Sequence, residues 1–256
     1  EIYTLSLHDA LPILVDRIRP ADQAPALQPE EPAVTNWKTT ALNELFAHLL
    51  ALAGTPTGRP AIVAVDGRGA AGKTTLAGAL VSAVPGTQVV HVDDLDWNEP
   101  LYQWDHVLVA ALTELHTTGA LDYVPPAWRP HGRSGSVVVQ AGTPLVVVEG
   151  TGASMRAVTD LLDACVWVQT DDQVAEDRGI QRDIAEGVNG GVEDTVAFWH
   201  WWMAGERRFF AADRPWERAD VIVSGAPAPG MEAGEVAWAE GPLHSPTATV
   251  LGAHKH

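Results

Sequence analysis

Eight consecutive residues, Gly67-Arg68-Gly69-Ala70-Ala71-Gly72-Lys73-Thr74, have the types and spacing to bind a polyphosphate. The run fits G-x-x-x-x-G-K-[ST], in which glycines let the backbone turn tightly and aim several N–H groups at one anion. In such a loop the lysine reaches the β- and γ-phosphates, and the hydroxyl that follows it binds Mg²⁺. We therefore predict a phosphate site made by Gly67, Gly69, Ala70, Ala71, Gly72, Lys73, Thr74 and Thr75, with Thr74 on the metal.

The flanking residues supply the elements that such a loop needs. Ala61–Val65 is a run of five apolar residues, which is typical of a buried strand, and the residues from Thr75 to Leu80 are compatible with a helix. The N-terminus of that helix adds the positive end of its dipole to the anion site. A plain glycine-rich turn is the competing interpretation, and the order strand, loop, helix favours the phosphate site.

Acidic residues follow two of the predicted strands. Asp93 and Asp94 come after the strand 87–92, and Glu149 ends the apolar strand Pro144–Val148. A carboxylate at either place can hold Mg²⁺, and Asp93 can also accept the proton of a substrate hydroxyl. The alternatives are a solvated loop or a helix cap for the aspartates and a simple strand-ending acid for Glu149.

Arg178 and Arg182 lie one turn apart on a predicted helix, Asp171–Glu186. Two neighbouring guanidinium groups repel each other unless an anion or a carboxylate lies between them. A closing lid that clamps phosphates during transfer would use them in this way. The alternative is a solvated helix face on which the arginines pair with Asp177 and Asp183.

An acceptor site is predicted from an irregular stretch, 121–136, that is rich in proline, aromatic and basic residues. Loops of this kind carry specificity. The candidate substrate contacts are Asp94, Tyr123, Trp128, Arg129, Arg133 and, after a later turn, Arg156. For the aromatic residues Trp199, Trp201 and Trp202, packing on a helix face is favoured over a platform for a nucleobase.

The remaining pattern predicts how these residues are positioned. Further strands are expected over 164–168 and 219–223, and further helices over 36–53, 105–118, 155–162 and 194–211. This alternation predicts an α/β fold, a doubly wound parallel sheet of about five strands with helices on both faces, and ligands at the carboxyl ends of the strands.

The chain divides into four expected segments. Residues 1–13 resemble the in-frame translation of a sequencing-library adapter, and we leave them out of the fold prediction. Residues 14–35 lack periodicity and predict a disordered lead-in. Residues 36–225 form the expected α/β domain that contains the phosphate loop, and 226–256 are expected to be a flexible tail because their composition shifts to Ala, Pro, Gly and Glu.

Composition excludes several classes of function. The chain has 256 residues, 46% of them hydrophobic, and 16 basic against 33 acidic residues give a formal net charge of −17. This charge argues against a nucleic-acid polymer or an anionic membrane as partner. No apolar run approaches the roughly 18 residues of a membrane span, so we expect a cytoplasmic protein. The single cysteine, Cys165, lies in an apolar run and is expected to be buried. The sequence does not indicate an oligomeric state.

The motifs together resemble the superfamily of uridine kinase, phosphoribulokinase and pantothenate kinase. The phosphate loop within Val65–Ala77 is similar to theirs, His91–Leu95 resembles their D-[DSG]-F-[YF] segment, which nicotinamide riboside kinases share, and Val146–Gly150 resembles V-x-x-E-G. Arg178–Asp183 resembles the R-x-x-x-R-D lid, and Arg218–Val223 the closing A-D-x-[IV]-[IV] strand. The likeness covers about residues 60–224.

This resemblance implies a P-loop NTPase fold and an ATP- and Mg²⁺-dependent kinase that phosphorylates a hydroxyl of a small molecule, most simply a nucleoside. It maps the catalytic base to Asp93. Leu95 and Asp96 stand where the family has an aromatic pair that shapes the acceptor pocket. A nucleoside monophosphate kinase and a pantothenate or sugar kinase would use the same site. From another class, an ATP-binding regulatory ATPase module is the alternative.

Overall fold

The computed structural model describes residues 25–226 and 230–244. The segment 1–13, which we expect to derive from an adapter, lies outside these residues. The same holds for 14–24 of the expected lead-in and for 227–229 and 245–256 of the expected tail.

A seven-stranded sheet forms the centre of the fold. Its strands are β1 (Lys38–Ala41), β2 (Ala61–Gly67), β3 (Gln88–His91), β6 (Leu145–Glu149), β7 (Ala164–Gln169), β8 (Val221–Ser224) and β9 (Glu235–Glu240). Their order across the sheet is β1-β9-β8-β7-β2-β6-β3. The five strands from β8 to β3 are parallel, whereas β9 and β1 extend one edge in antiparallel pairing. A separate hairpin joins β4 (Leu121–Tyr123) to β5 (Val137–Val139).

Helices connect the parallel strands. They are α1 (Leu42–Ala53), α2 (Lys73–Ala83), α3 (Val92–Leu95), α4 (Asp105–Thr118), α5 (Asp172–Glu186) and α6 (Val192–Asp213), with 3₁₀ turns at Arg156–Leu161 and Pro215–Glu217. The predicted α/β class is therefore confirmed: five parallel strands, extended on one side by two antiparallel strands, with helices on both faces, as in P-loop NTPases.

Both faces of the sheet are covered, and for this reason its central strands are apolar up to their carboxyl ends, where Asp66, Glu149 and Gln169 lie. Every residue of β2, β6 and β7 is buried. Successive side chains of a strand point to opposite faces. Ile62 accordingly packs in the core that contains Leu108 of α4, whereas Val63 packs in the core that contains Leu45 of α1 and Leu80 of α2.

The N-terminal part differs from expectation. Within the segment 14–35, which we predicted to be disordered, residues 25–35 lie against the domain, and the side chain of Glu31 is fully buried against Arg68. The helix that we predicted over 36–53 begins only at Leu42, because 38–41 pair with β9 as strand β1. Both contacts join residues that are distant in sequence, so no local hydrophobic periodicity predicts them.

The C-terminal part also contains an element that we did not predict. β9 lies inside the segment 226–256, for which composition indicated a flexible tail, and Val236–Ala239 are buried against the sheet. Six residues, of which the middle four are buried, are too short a run to stand out beside the Pro- and Gly-rich sequence around them.

A membrane span is not found among the helices of the described part, none of which is both long and apolar enough to cross a bilayer.

Candidate active site

The parallel strands end at one edge of the sheet, and their polar residues meet there. Glu149 lies opposite Val65 of β2 in one register and opposite His91 of β3 in the other. A pocket of about 1140 Å³ opens at this edge. Four groups of predicted residues line it: the loop residues from Gly69 to Thr75, then Asp93, then Glu149, and finally Arg178 with Arg182. The topology therefore brings together residues that are more than 100 positions apart.

The phosphate loop has a backbone that only certain residues allow. Gly67 has φ 157°, and a Cβ added there would lie 2.8 Å from the carbonyl oxygen of Val168. Gly72 precedes the first residue of α2 with φ 102°, a conformation that favours glycine. Gly67 itself does not line the pocket. Its role in this structure is to let the loop pass close to β7.

Lys73 is held inside the loop. Its ammonium group donates a hydrogen bond to the carbonyl oxygen of Arg68 at 2.8 Å and to the hydroxyl of Thr151 at 3.3 Å. The residue is only 7% exposed, yet it lines the pocket. A lysine anchored in this way presents a positioned charge to an anion in the loop.

Thr74 and Glu149 form a pair of oxygen donors that could hold Mg²⁺. The Thr74 hydroxyl donates to Oε1 of Glu149 at 3.0 Å, and Nδ1 of His91 lies 2.9 Å from Oε2 of the same carboxylate. Burial works to raise the pKa of Glu149, but the hydrogen bonds from His91 and Thr74 and the charge of Lys73 outweigh it and lower this pKa. An ionised carboxylate beside a hydroxyl suits Mg²⁺, which takes few protein ligands and completes its shell with phosphate and water oxygens. A full protein-only metal cage is absent from the described residues.

Asp93 lies on the same wall with its carboxylate available. Burial raises the pKa of Asp93, Lys73 opposes this shift, and the charge of Glu149 adds to it. Within the described ranges, its carboxylate has no hydrogen-bond or ion-pair partner. It is therefore free to accept a hydrogen bond from a bound molecule.

Two loop amides that we predicted to bind phosphate have protein partners in this structure. The amide of Gly69 donates to Oε1 of Glu206 at 2.7 Å, and that of Ala71 donates to the carbonyl oxygen of Arg68 at 3.2 Å. Ala70 adopts φ 56° between them. The loop is thus held in shape by its own groups and by a buried glutamate of α6.

Arg178 and Arg182 line the pocket but also contact the protein. Arg178 donates to the carbonyl oxygen of Gly225 at 2.7 Å. Arg182 donates to Oδ1 of Asp183 at 2.9 Å, the pairing that we gave as the alternative for this residue. An arriving polyphosphate would compete with both interactions.

The predicted acceptor contacts do not line this pocket, and their role in binding an acceptor stays a prediction. Arg133 pairs with Asp94 and lies over the ring of Trp128, 3.7 Å from its centroid, while the indole of Trp128 donates to the backbone oxygen of Asp94 at 2.8 Å. Tyr123 packs on the core of α4, and Arg129 is exposed.

Arg156 also lies elsewhere. It donates both its backbone amide and its guanidinium group to Asp213, at the end of α6. The Pro-rich stretch packs next to α3 because Arg133 and Trp128 contact each other and both contact Asp94. Composition alone does not reveal such internal pairing.

Several polar residues at the site escaped the sequence prediction. Asp66 is fully buried and accepts hydrogen bonds from the amides of Gly67, Gly152 and Ser154 and from the Ser154 hydroxyl, at 2.7 to 2.9 Å. Burial raises the pKa of Asp66 against these hydrogen bonds. Glu206 is a second buried acid that the sequence analysis did not single out. Burial raises its pKa too, opposed by the Gly69 amide and by the charge of Arg68. A charged residue within an apolar run is the signal that could have identified Asp66.

Trp199 and Trp202 lie on the pocket wall against the phosphate loop. A Cβ added to Gly69 would lie 3.2 Å from Nε1 of Trp202 and 3.3 Å from the ring of Trp199. Trp199 also packs against Gly179 and donates to Asp183 at 2.7 Å. Packing of these rings was the favoured prediction, and the contacts of Trp199 agree with it. Both rings nevertheless face the pocket.

Comparison with known proteins gives distant likenesses. No protein-family model matches the chain. Over 146 residues the chain is 26% identical to a protein named uridine kinase from Limosilactobacillus reuteri, a match that covers 50% of this chain and 67% of the relative. It is 24% identical over 146 residues to a uridine kinase from Streptococcus agalactiae, covering 50% of this chain and 70% of that protein.

A solved structure shares the fold. The crystal structure of a candidate fructose transport system kinase from Silicibacter sp. matches with a TM-score of 0.51 and 20% identity, covering 68% of this chain and 96% of the other. The fold is thus that of P-loop kinases, and the sequence relatives carry the name of one such kinase. Together these likenesses support a kinase of the P-loop class without identifying its acceptor.

Proposed function

We propose that this protein is an ATP- and Mg²⁺-dependent kinase that transfers the γ-phosphoryl group to a hydroxyl of a small, nucleoside-like molecule. The observation that carries the proposal is the content of one pocket: the anchored Lys73, the Thr74–Glu149 pair and the unpartnered carboxylate of Asp93. A nucleotide-binding loop alone fits many proteins. An available carboxylate in the same pocket is what an acceptor hydroxyl requires.

Roles on the phosphate side follow from charge and position. The loop from Gly69 to Thr75 and Lys73 hold the triphosphate, and Thr74 with Glu149 hold Mg²⁺. When bound, the metal neutralises charge on the phosphate oxygens. Arg178 and Arg182 leave their contacts with Gly225 and Asp183 to bind the oxygens of the transferred group. Such electrostatic stabilisation accounts for most of catalysis in phosphoryl transfer.

On the acceptor side, Asp93 orients the hydroxyl and takes its proton. The hydroxyl oxygen forms the new bond to the γ-phosphorus, and the bond between that phosphorus and the β,γ-bridging oxygen breaks. The proton passes from the hydroxyl to the carboxylate and then to water. The products are ADP, the phosphorylated acceptor and one proton. Burial, which raises the pKa of Asp93, makes this carboxylate a stronger base than an exposed one.

A nucleoside is the acceptor that the named relatives favour, since two of them are uridine kinases. A nucleoside monophosphate, pantothenate or a sugar would react by the same chemistry. The distinction lies in the part of the pocket around α3, where Asp96 replaces the aromatic residue of the family pattern.

The test is ADP release from ATP and Mg²⁺ in the presence of nucleosides, nucleoside monophosphates, pantothenate and small sugars. We expect release to depend on one class of acceptor and Asp93→Asn to lower it at least about 100-fold without changing the affinity for ATP. Asp160→Asn, which changes an exposed aspartate on the 3₁₀ turn, is the matched control and should behave as wild type. Turnover that needs no acceptor and survives Asp93→Asn would refute the proposal and leave an ATPase module.

A further inference from the structure

The carboxylate that we assign to the metal is held from two sides. Oε1 of Glu149 accepts a hydrogen bond from the hydroxyl of Thr74, and Oε2 lies 2.9 Å from Nδ1 of His91. An ionised carboxylate can only accept, so Nδ1 carries the proton of this second hydrogen bond. The Glu149 side chain is only 7% exposed. The two oxygens of one buried carboxylate thus have different partners, one on α2 and one at the end of β3.

The sheet places His91 beside Glu149. The two residues are partners in the parallel register of β3 and β6, and on its other side Glu149 is the partner of Val65 in β2. Residues that are paired across neighbouring strands project their side chains to the same face of the sheet. Val65 is apolar and gives the carboxylate no hydrogen bond. The pairing with β3 therefore decides how Oε2 is held.

His91 reaches this carboxylate from outside the pocket. Thr74 and Glu149 line the pocket, but His91 does not. Its side chain is 47% exposed. A molecule in the pocket therefore meets the carboxylate without meeting the imidazole. The role that this arrangement gives to His91 is to position Glu149, and not to contact a nucleotide or an acceptor.

A carboxylate with one engaged oxygen does not suit all cations equally. Mg²⁺ is small, demands nearly ideal octahedral geometry and takes few carboxylate ligands beside phosphate and water oxygens. Ca²⁺ takes more oxygen ligands at longer distances and can use both oxygens of one carboxylate. Oε1 lies beside Thr74 at the phosphate loop, whereas Oε2 is engaged by His91. The geometry thus offers a cation one oxygen of Glu149, which is the arrangement that Mg²⁺ accepts more readily than Ca²⁺.

We propose that His91 is a positioning residue that determines metal selectivity: by holding Oε2 it leaves Oε1 of Glu149 to the cation and so favours Mg²⁺ over Ca²⁺. The inference rests on the proposed function, which assigns Thr74 and Glu149 to the metal. Removal of the imidazole frees Oε2, so that both oxygens can turn to one cation. Mg²⁺ then loses a carboxylate that is held in place, whereas Ca²⁺ gains a ligand atom.

Metal binding, and not activity, is the readout of the test. The affinity of Mn²⁺ for the complex of the protein with ADP is measured by electron paramagnetic resonance, in which bound and free Mn²⁺ differ in signal. Mg²⁺ or Ca²⁺ is then titrated into this complex. The concentrations of the two ions that displace half of the Mn²⁺ give a selectivity ratio for each protein, and ADP without protein gives the background.

Three variants are compared with wild type. For His91→Ala we expect the ratio to move at least about 10-fold towards Ca²⁺, the effect of losing a group that orients a metal ligand. His91→Asn keeps an N–H donor on a shorter side chain and should restore most of the selectivity. His200→Ala is the matched control, because it removes a histidine that lies 3.0 Å from another glutamate, Glu176, and neither residue lines the pocket. It should behave as wild type.

Two results with a folded His91→Ala would overturn the inference. One is an unchanged ratio, and the other is an equal loss of affinity for both ions, which would make His91 a support of the carboxylate without selectivity. If His91→Ala does not fold, His91→Leu, which also lacks a donor, takes its place. A wild-type complex that binds no more Mn²⁺ than ADP alone would overturn the inference too. Failure of the kinase proposal would appear separately, as ADP release that needs no acceptor, and would leave the selectivity result standing.

Discussion

Replacement of Glu31 is the sharpest test of how the phosphate loop is held. Oε2 of Glu31 lies 2.6 Å from the guanidinium group of Arg68, and both side chains are 0% exposed. Its other oxygen accepts hydrogen bonds from the indole of Trp167 at 2.8 Å and the amide of Gln169 at 3.0 Å. Asp172 also pairs with Arg68.

Glu31→Ala removes three interactions of one carboxylate and leaves a buried guanidinium with one anionic partner. Breaking a buried ion pair by deleting one member costs about 3–5 kcal/mol. This is a large part of the roughly 5–15 kcal/mol that stabilises a typical domain. Glu31→Gln keeps the shape and some of the hydrogen bonds, so we expect a loss of about 1–3 kcal/mol. The backbone oxygen of Arg68 holds the ammonium group of Lys73, and displacement of Arg68 should therefore also weaken ATP binding.

Urea unfolding and ATP titration of the two variants measure these effects. Glu44→Ala, at an exposed position in the first turn of α1, is the control and should cost less than about 1 kcal/mol. The reasoning fails if Glu31→Ala is as stable as this control, or if stability falls while the affinity for ATP at a fully folded condition is untouched. The second result would show that Glu31 stabilises the fold without affecting how the phosphate loop binds ATP.

Three further predictions follow from the same contacts. Glu149→Gln should raise the Mg²⁺ concentration for half-maximal activity about 10- to 100-fold, because it removes the charge from the oxygen pair with Thr74. A Mg²⁺ titration at saturating ATP measures this concentration. If the variant needs no more Mg²⁺ than wild type, Glu149 is not part of the metal site. The pKa of Asp96 is about 8 in the folded state, above its unfolded value of about 4, so the contribution of this residue to stability should fall as the pH rises through this range. Asp96→Asn should therefore be more stable than wild type at pH 8. Equal melting temperatures of the two proteins at pH 5 and at pH 8 would contradict this prediction. Gly150→Ala would place a Cβ 2.5 Å from the Cβ of Val92, at a residue whose φ is 149°. We expect the free energy of unfolding to fall by about 1–3 kcal/mol, which a lower melting temperature would show. The control is Gly78→Ala, at an open and exposed position of α2, which should not destabilise the protein.

The phosphate loop and the sheet edge could be predicted because their signals are local. The spacing of glycines, Lys73 and Thr74 is a property of eight adjacent residues, and each buried strand is a short apolar run that ends in a polar residue. Given a parallel sheet, Asp93 and Glu149 must emerge at the edge where the loop lies, since all carboxyl ends of the strands share it. The structure places them around one pocket, as this rule requires.

The acceptor side could not be predicted in this way because it depends on pairing between distant residues. Arg133 and Trp128 lie in a stretch of suitable composition, but Arg133 pairs with Asp94, 39 positions away. That contact engages the charges that we had assigned to a substrate. Glu31 and Arg68 are 37 positions apart and likewise carry no periodic signal. Asp96 was visible as a departure from the family pattern, and only the pocket lining shows that its carboxylate faces the site.

The buried ionisable residues around the phosphate loop indicate that part of the stability of the fold is given up for an ordered anion site. Asp66, Arg68 and Glu206 are each at most 2% exposed, and each contacts the loop or the segment that packs beside it. Burying charges is rarely the most stabilising choice, because desolvation offsets much of the attraction. Their hydrogen bonds are directional, however, and they hold the loop backbone before a nucleotide arrives. The entropy of ordering the loop is then lost on folding instead of on binding, which is the condition for tight and correctly oriented phosphate binding.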